Sequence, residues 1–172
     1  LTSDDESFGG LSAITPWKGD MLAASDDGTF YQFAADEGKS RWKARRFGLP
    51  AACGPRDSKK DHDIESLAQM TDGNIWVGLE WHNRLCRMEA ADLAKGHLVT
   101  PAALKTCPRT GGAEAMVALP DGRLALFAER PKDEGPISPV LVFAAGQVTK
   151  DAKPLAFKFR PPAGFRVSDA AI

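Results

Sequence analysis

The sequence predicts an all-β chain folded as a β-propeller of four-stranded blades. Two observations carry that expectation. The chain repeats itself at close to 50 residues, about the length of one blade. Each of the two clearest repeats also centres on an Asp-Gly turn between short apolar runs, a strong hairpin signal.

The repeat is plainest between residues 64–80 and 113–129. The first reads Ile64-Glu65-Ser66-Leu67-Ala68-Gln69-Met70-Thr71-Asp72-Gly73, then Asn74-Ile75-Trp76-Val77-Gly78-Leu79-Glu80. The second reads Ala113-Glu114-Ala115-Met116-Val117-Ala118-Leu119-Pro120-Asp121-Gly122, then Arg123-Leu124-Ala125-Leu126-Phe127-Ala128-Glu129. Both run acid, apolar strand, turn, apolar strand, acid. A looser copy leads from Phe8-Gly9-Gly10-Leu11-Ser12-Ala13-Ile14 through Lys18-Gly19-Asp20 to Met21-Leu22-Ala23-Ala24-Ser25-Asp26-Asp27. Another leading acid, Asp169, stands in Val167-Ser168-Asp169-Ala170-Ala171-Ile172.

Outer strands follow each inner hairpin. They are expected at Thr29 to Phe33 and Arg41 to Phe47, at Leu85 to Met88, and at Pro139 to Ala144 and Leu155 to Phe159. Ala90 to Lys95 is expected to make one turn of helix. The blades are thus placed at 8–50, 63–108 and 112–160, with the start of a further one at 166–172, in a single propeller domain over 1–172. About three blades would leave exposed strand edges. The chain is therefore expected to be part of a larger, about six-bladed ring, or to self-associate to complete one.

Bulk properties exclude some classes of function. Lys and Arg number 22 against 23 Asp and Glu, for a net charge of -1. A nucleic-acid partner would need a basic excess. Trp17, Trp42, Trp76 and Trp81 form no ladder with basic residues, so no stacking platform for bases is expected. Trp76 is expected to pack between blades. No apolar run approaches the length of a membrane span. The sequence holds no Ser-centred nucleophile elbow, H-E-x-x-H motif or P-loop. Cys53, Cys86 and Cys107 lack C-x-x-C spacing. Their count fits one disulfide plus a free thiol, or three reduced thiols. Cys86, in a third strand, is expected to be buried as a small apolar residue.

The acids flanking the hairpins are the candidate site. If Asp72-Gly73 is a two-residue loop, Glu65 falls directly opposite Glu80. The same reading at Asp121-Gly122 sets Glu114 opposite Glu129. Opposed side chains lie about 5 Å apart, so two carboxylates there need compensation. Three kinds are open. A Ca²⁺ ion could bridge them. Arg84, Arg87 or Arg130 could neutralise them. One carboxyl could keep its proton, as in acid/base pairs. Asp26 and Asp27 end the corresponding strand of the first unit. His82, following Glu80-Trp81, and His62, in Lys59-Lys60-Asp61-His62-Asp63, are candidate bases or ligands at the rim, against the plainer reading of a turn and a solvated charged loop.

At these residues the sequence resembles the phytase-like propeller family, also described as "esterase-like activity of phytase". The resemblance lies in Phe8-Gly9-Gly10-Leu11-Ser12, Ser25-Asp26-Asp27, Asp63-Ile64-Glu65-Ser66-Leu67, Trp76-Val77-Gly78-Leu79-Glu80, Gly112-Ala113-Glu114-Ala115-Met116 and Ser168-Asp169-Ala170-Ala171. It implies a periplasmic or secreted bacterial protein and a calcium-assisted phosphoesterase acting on a small phosphate ester or other anionic ligand. By position, Asp26, Asp27, Glu65, Glu80, Glu114, Glu129 and Asp169 would hold Ca²⁺. The sequence lacks the dense lysine and aspartate set of a true phytase site. Two other functions fit the same rim: a non-catalytic propeller that binds a ligand or protein, and a lactonase-like metallohydrolase.

Overall fold

A computed structural model describes residues 8–34, 43–54, 58–130 and 136–172. Among these residues, twelve strands form three four-stranded antiparallel sheets, each in sequential order. The first sheet is β1 (Leu11–Trp17), β2 (Asp20–Ser25), β3 (Thr29–Phe33) and β4 (Ala44–Gly48). The second is β5 (Ile64–Gln69), β6 (Ile75–Leu79), β7 (Arg84–Glu89) and β8 (Asp92–Val99). The third is β9 (Ala115–Ala118), β10 (Leu124–Phe127), β11 (Ser138–Phe143) and β12 (Leu155–Phe159). Each sheet is one blade. Arg41 and Trp42 lie outside the described residues, and the fourth strand of the first blade begins at Ala44. Residues 166–172 form no strand.

The helical turn expected at Ala90 to Lys95 is instead a tight turn leading into β8. Helix propensity in an Ala-rich hexapeptide is a weak prior, and the ladder with β7 overrides it.

Both clear hairpins use three-residue loops, which corrects the two-residue reading. Gly73 N–H donates to the Met70 carbonyl at 2.8 Å, and Met70 N–H donates to the Asn74 carbonyl at 2.9 Å. Leu119, Gly122 and Arg123 repeat the pattern. Gly73 and Gly122 have φ of 80° and 81°, the left-handed geometry that closes such a loop after a type I turn. Among the described inner hairpins, Lys18-Gly19 alone forms a two-residue turn, with Trp17 paired to Asp20 and both turn residues at positive φ.

The loop length shifts the register by one, so Gln69 pairs with Ile75 and Ser66 with Gly78. A β-bulge at Glu65 then brings Ile64 opposite Leu79. Glu65 therefore does not oppose Glu80. In the third blade Phe127 pairs with Ala115, and Glu129 N–H donates to the Gly111 carbonyl, so Glu114 does not oppose Glu129 either.

The first strands of the three blades stand side by side: β1 packs on β5, and β5 on β9. Two serines tie this inner layer together. Ser12 Oγ donates to the Ile64 carbonyl at 2.5 Å, and Ser66 Oγ to the Ala113 carbonyl at 2.6 Å. Gly78 is needed where those backbones approach, because a Cβ there would overlap Ser66 Oγ and lie 2.6 Å from the Ala113 oxygen.

Two apolar cores fill the gaps between blades. The first joins Trp17, Leu22 and Phe30 to Ile75, Val77, Leu79 and Met88. The second joins Trp76 and Leu85 to Met116, Leu124, Leu126 and Phe143. Strand β6 is buried along its whole length because its alternate side chains enter different cores. Trp76 packs between blades, as expected. Cys53, just before the second blade, bonds to Cys86 on β7 with a Cα–Cα distance of 5.5 Å. That corrects the expectation for Cys86, which is buried as a disulfide half. Cys107 is a buried free thiol. No helix among the described residues is long and apolar enough to cross a membrane.

Candidate functional site

Asp63, Glu65 and Glu80 converge at one end of the second blade, each offering an oxygen within 4.8 Å of the others. Three local features place them. Asp63 precedes β5 and its carbonyl accepts from Glu80 N–H at 3.0 Å. Glu65 occupies the bulge, which re-aims its side chain. Glu80 begins the turn after β6. Convergence thus arises by a different route from direct cross-strand pairing.

Each acid is held differently. Asp63 is buried, and its Oδ2 accepts from Trp81 Nε1 at 2.7 Å. Lys59 Nζ stands 3.7 Å from its Oδ1. Glu80 Oε1 accepts from Gly111 N–H at 2.8 Å, a bond reaching across from the loop before β9. Burial raises the Glu80 carboxyl above the usual range, and the charges of Asp63 and Glu129 add to this against the Gly111 bond. Glu65 is pushed up to about 8, first by burial and then by Glu114, Glu80, Asp63 and Asp26. Glu114 is pushed up to about 7 by burial, Glu129 and Glu80. Around neutral pH the cluster therefore retains protons or needs a cation.

The remaining acids take other roles. Asp26 Oδ2 pairs with Lys59 Nζ at 2.8 Å. Asp27 caps its own turn, its Oδ1 accepting from Thr29 N–H at 2.8 Å. Burial alone would raise Asp27, but the hydrogen bonds from Thr29 and Ser25 outweigh it and hold the carboxyl below its usual range. Glu129 is bracketed by Arg166 at 3.0 Å and Arg130 at 3.8 Å. Asp169 is exposed, and its Oδ1 accepts from Ala170 N–H. Of the expected arginine partners, Arg130 alone reaches a rim acid. Arg84 pairs with Asp61, and Arg87 pairs with Asp72 at the opposite end of the blade.

The histidines stand beside the cluster without joining it. The His62 ring lies against Gly28, where a Cβ would come within 3.0 Å of it. Its Nδ1 is buried without a hydrogen-bond partner among the described residues. His82 Nε2 lies 3.8 Å from Asp61 Oδ1 and is ionic only when protonated. Trp81, not His82, meets the acids.

The sequence reading passes over Asp63 and Asn83. The signal for Asp63 is the Asp-x-Glu spacing with Glu65, two acids on one strand face before a bulge intervenes. Asn83 has φ of 47°, which Asn tolerates. Its Nδ2 donates to the Pro108 carbonyl at 2.7 Å, anchoring the loop that supplies Gly111. A Cβ at Gly112 would collide with the Asn83 side chain.

Blades packed side by side with carboxylates converging where the inner hairpin of the second blade ends define a propeller with an acidic rim. The chain belongs to the phytase-like family, described as "Esterase-like activity of phytase", whose model matches residues 6–172. Comparison with curated proteins gave no match. Among solved structures, the chain is similar to a catalytically inactive virginiamycin B lyase from Staphylococcus aureus crystallised with quinupristin. The TM-score is 0.54 at 14% identity, covering 95% of this chain and 44% of that one. It is also similar to a streptogramin B lyase, with TM-score 0.51 at 15% identity and coverage of 89% and 41%. The WD40 repeats of RRP9 match with TM-score 0.55 at 10% identity, covering 93% and 41%. At these identities the likeness concerns the fold. The chain spans less than half the length of these proteins.

Proposed function

We propose that this chain carries the metal-binding rim of a calcium-dependent phosphoesterase exported from the cell. The observation that carries the reading is the convergence of Asp63, Glu65 and Glu80, with Glu114 beside them. The donor set is all oxygen, which suits a hard cation such as Ca²⁺. Glu65, Glu80 and Asp63 would hold the ion, with Glu114 facing it from the third blade. When bound, it would supply charge neutralisation for a phosphate ester and a more acidic water. The chain's own part is positional: Trp81 orients Asp63, and Gly111 N–H orients Glu80. A small phosphate ester is the proposed substrate. Periplasmic or secreted localisation is supported by the Cys53–Cys86 disulfide, since such bonds persist in oxidising compartments.

A non-catalytic binding propeller is the second reading. It is favoured by the pairing of Asp26 with Lys59 and of Glu129 with Arg166, which leaves part of the rim neutralised without metal. Thermal melts in excess chelator and in millimolar Ca²⁺ test the site, because a ligand of the folded state raises its stability. A rise that is lost in Glu65→Gln and Glu114→Gln is expected. Equal melting in both buffers would overturn the calcium site. Hydrolysis of a generic phosphate ester then separates the enzyme from the binding propeller.

A further inference from the structure

Next to the acidic cluster, across the Thr110-Gly111 segment, lies a cavity of opposite charge. It has a volume of about 670 Å³, within the range of small-molecule sites. Arg109, Arg130 and Arg166 line it, and Glu129 is the one acid among its described lining residues. Among these residues three guanidinium groups stand against one carboxylate. The internal contacts do not exhaust their donors. Arg130 donates to Thr110 Oγ1 at 2.7 Å and approaches Glu129 at 3.8 Å. Arg166 gives one bond to Glu129 at 3.0 Å. Arg109 makes no ion pair or hydrogen bond among the described residues. A guanidinium has more N–H groups than these contacts use, set in a fork that matches oxyanions.

Part of the wall is apolar. Pro136, Pro161 and Pro162 contribute, and Phe165 is 70% exposed. Such a ring left in water beside arginines suits an organic group more than a bare inorganic ion. The cavity and the acidic cluster share a partition. Gly111 N–H holds Glu80 on one side, while Thr110 Oγ1 holds Arg130 on the other.

We infer that this cavity binds the oxyanion of a small organic phosphate through Arg109, Arg130 and Arg166, with its organic group on Phe165. The inference draws on the proposed function only in setting that anion beside a cation rim; binding itself needs no metal.

Calorimetric titration in excess chelator tests it, with phenyl phosphate and inorganic phosphate as probes. Phenyl phosphate is expected to bind more tightly, and Phe165→Ser to abolish the difference. Arg109→Gln and Arg166→Gln are each expected to weaken both probes about tenfold, the loss of one charge-assisted contact. Lys95→Gln, on the outer strand β8, is expected to change nothing. Arg109 supports no other described residue, so its variant tests the cavity without disturbing the fold. Absence of binding, or equal binding by all variants, would overturn the inference. So would binding that appears only with Ca²⁺ and vanishes in Glu65→Gln, an outcome that keeps the rim and removes the cavity. Conversely, chelator-insensitive binding lost in the arginine variants, with no calcium effect on melting, keeps the cavity and removes the rim.

Discussion

Replacing Glu65 by Gln is expected to stabilise the metal-free protein, and to do so only above the pH at which Glu65 ionises in the unfolded chain. In the folded state the carboxyl is raised from 4.5 to about 8, chiefly by burial and by the charges of Glu114, Glu80 and Asp63. In the unfolded chain it titrates normally. Between those two values the folded state holds a proton that the unfolded state has lost. Stability therefore falls as pH rises through that window, and the full penalty is reached above about 8. At about 1.4 kcal/mol per pH unit, the displacement would cost about 5 kcal/mol in a dry interior. Glu65 is only half-buried, so solvent screening reduces this to about 1–2 kcal/mol. That corresponds to about 2–8 °C in Tm for a chain of this size. Melts of both proteins in excess chelator, at pH of about 4 and about 9, supply the comparison. The curves should coincide in acid, and the variant should melt higher in base. With millimolar Ca²⁺ the order should reverse, because the variant has lost a ligand. A variant that is less stable in base without calcium would refute the reasoning, because Glu65 would then have a stabilising partner as an anion.

Gly78→Ala should cost about 1–3 kcal/mol, measured by urea denaturation, because the added methyl has backbone on one side and Ser66 on the other. Reducing Cys53–Cys86 should lower stability by about 2–4 kcal/mol, read from urea curves with and without a thiol reductant. Cys107 is 2% exposed, and burial pushes its thiol up to about 11. It should therefore resist alkylation in the native protein at mildly basic pH, and react as one thiol once denatured under non-reducing conditions. Rapid native labelling would count against that burial.

The blades were legible because period-2 apolar runs and Asp-Gly turns are local signals. Thr29 to Phe33 and Leu155 to Phe159 need only alternation and turn residues to be read as strands, and both form at those bounds. Strand β8 was not legible. Ala90 to Lys95 carries weak β propensity, and only its ladder with β7 makes it extended. The rim was legible as a set of acids but not as a geometry. Asp-Gly fits both two- and three-residue loops, and nothing local announces the bulge at Glu65. Those two departures both act on the register, yet Glu65 and Glu80 still meet. The Cys53–Cys86 pairing was hidden for another reason: it depends on how the segment after β4 folds back on β7, a long-range matter that spacing cannot give.

The two apolar cores have a mechanical consequence. They communicate only through the second blade, so the chain behaves as three slats joined at two seams. The first seam carries a covalent rivet between Cys53 and Cys86. The second has no such bond, but it is where Glu80 reaches Gly111 and where Glu65 faces Glu114. An ion held there would be a removable rivet, fastening the third slat when present. Without it, at a pH high enough to ionise Glu65 and Glu114, the repulsion among those acids would load that seam and not the first.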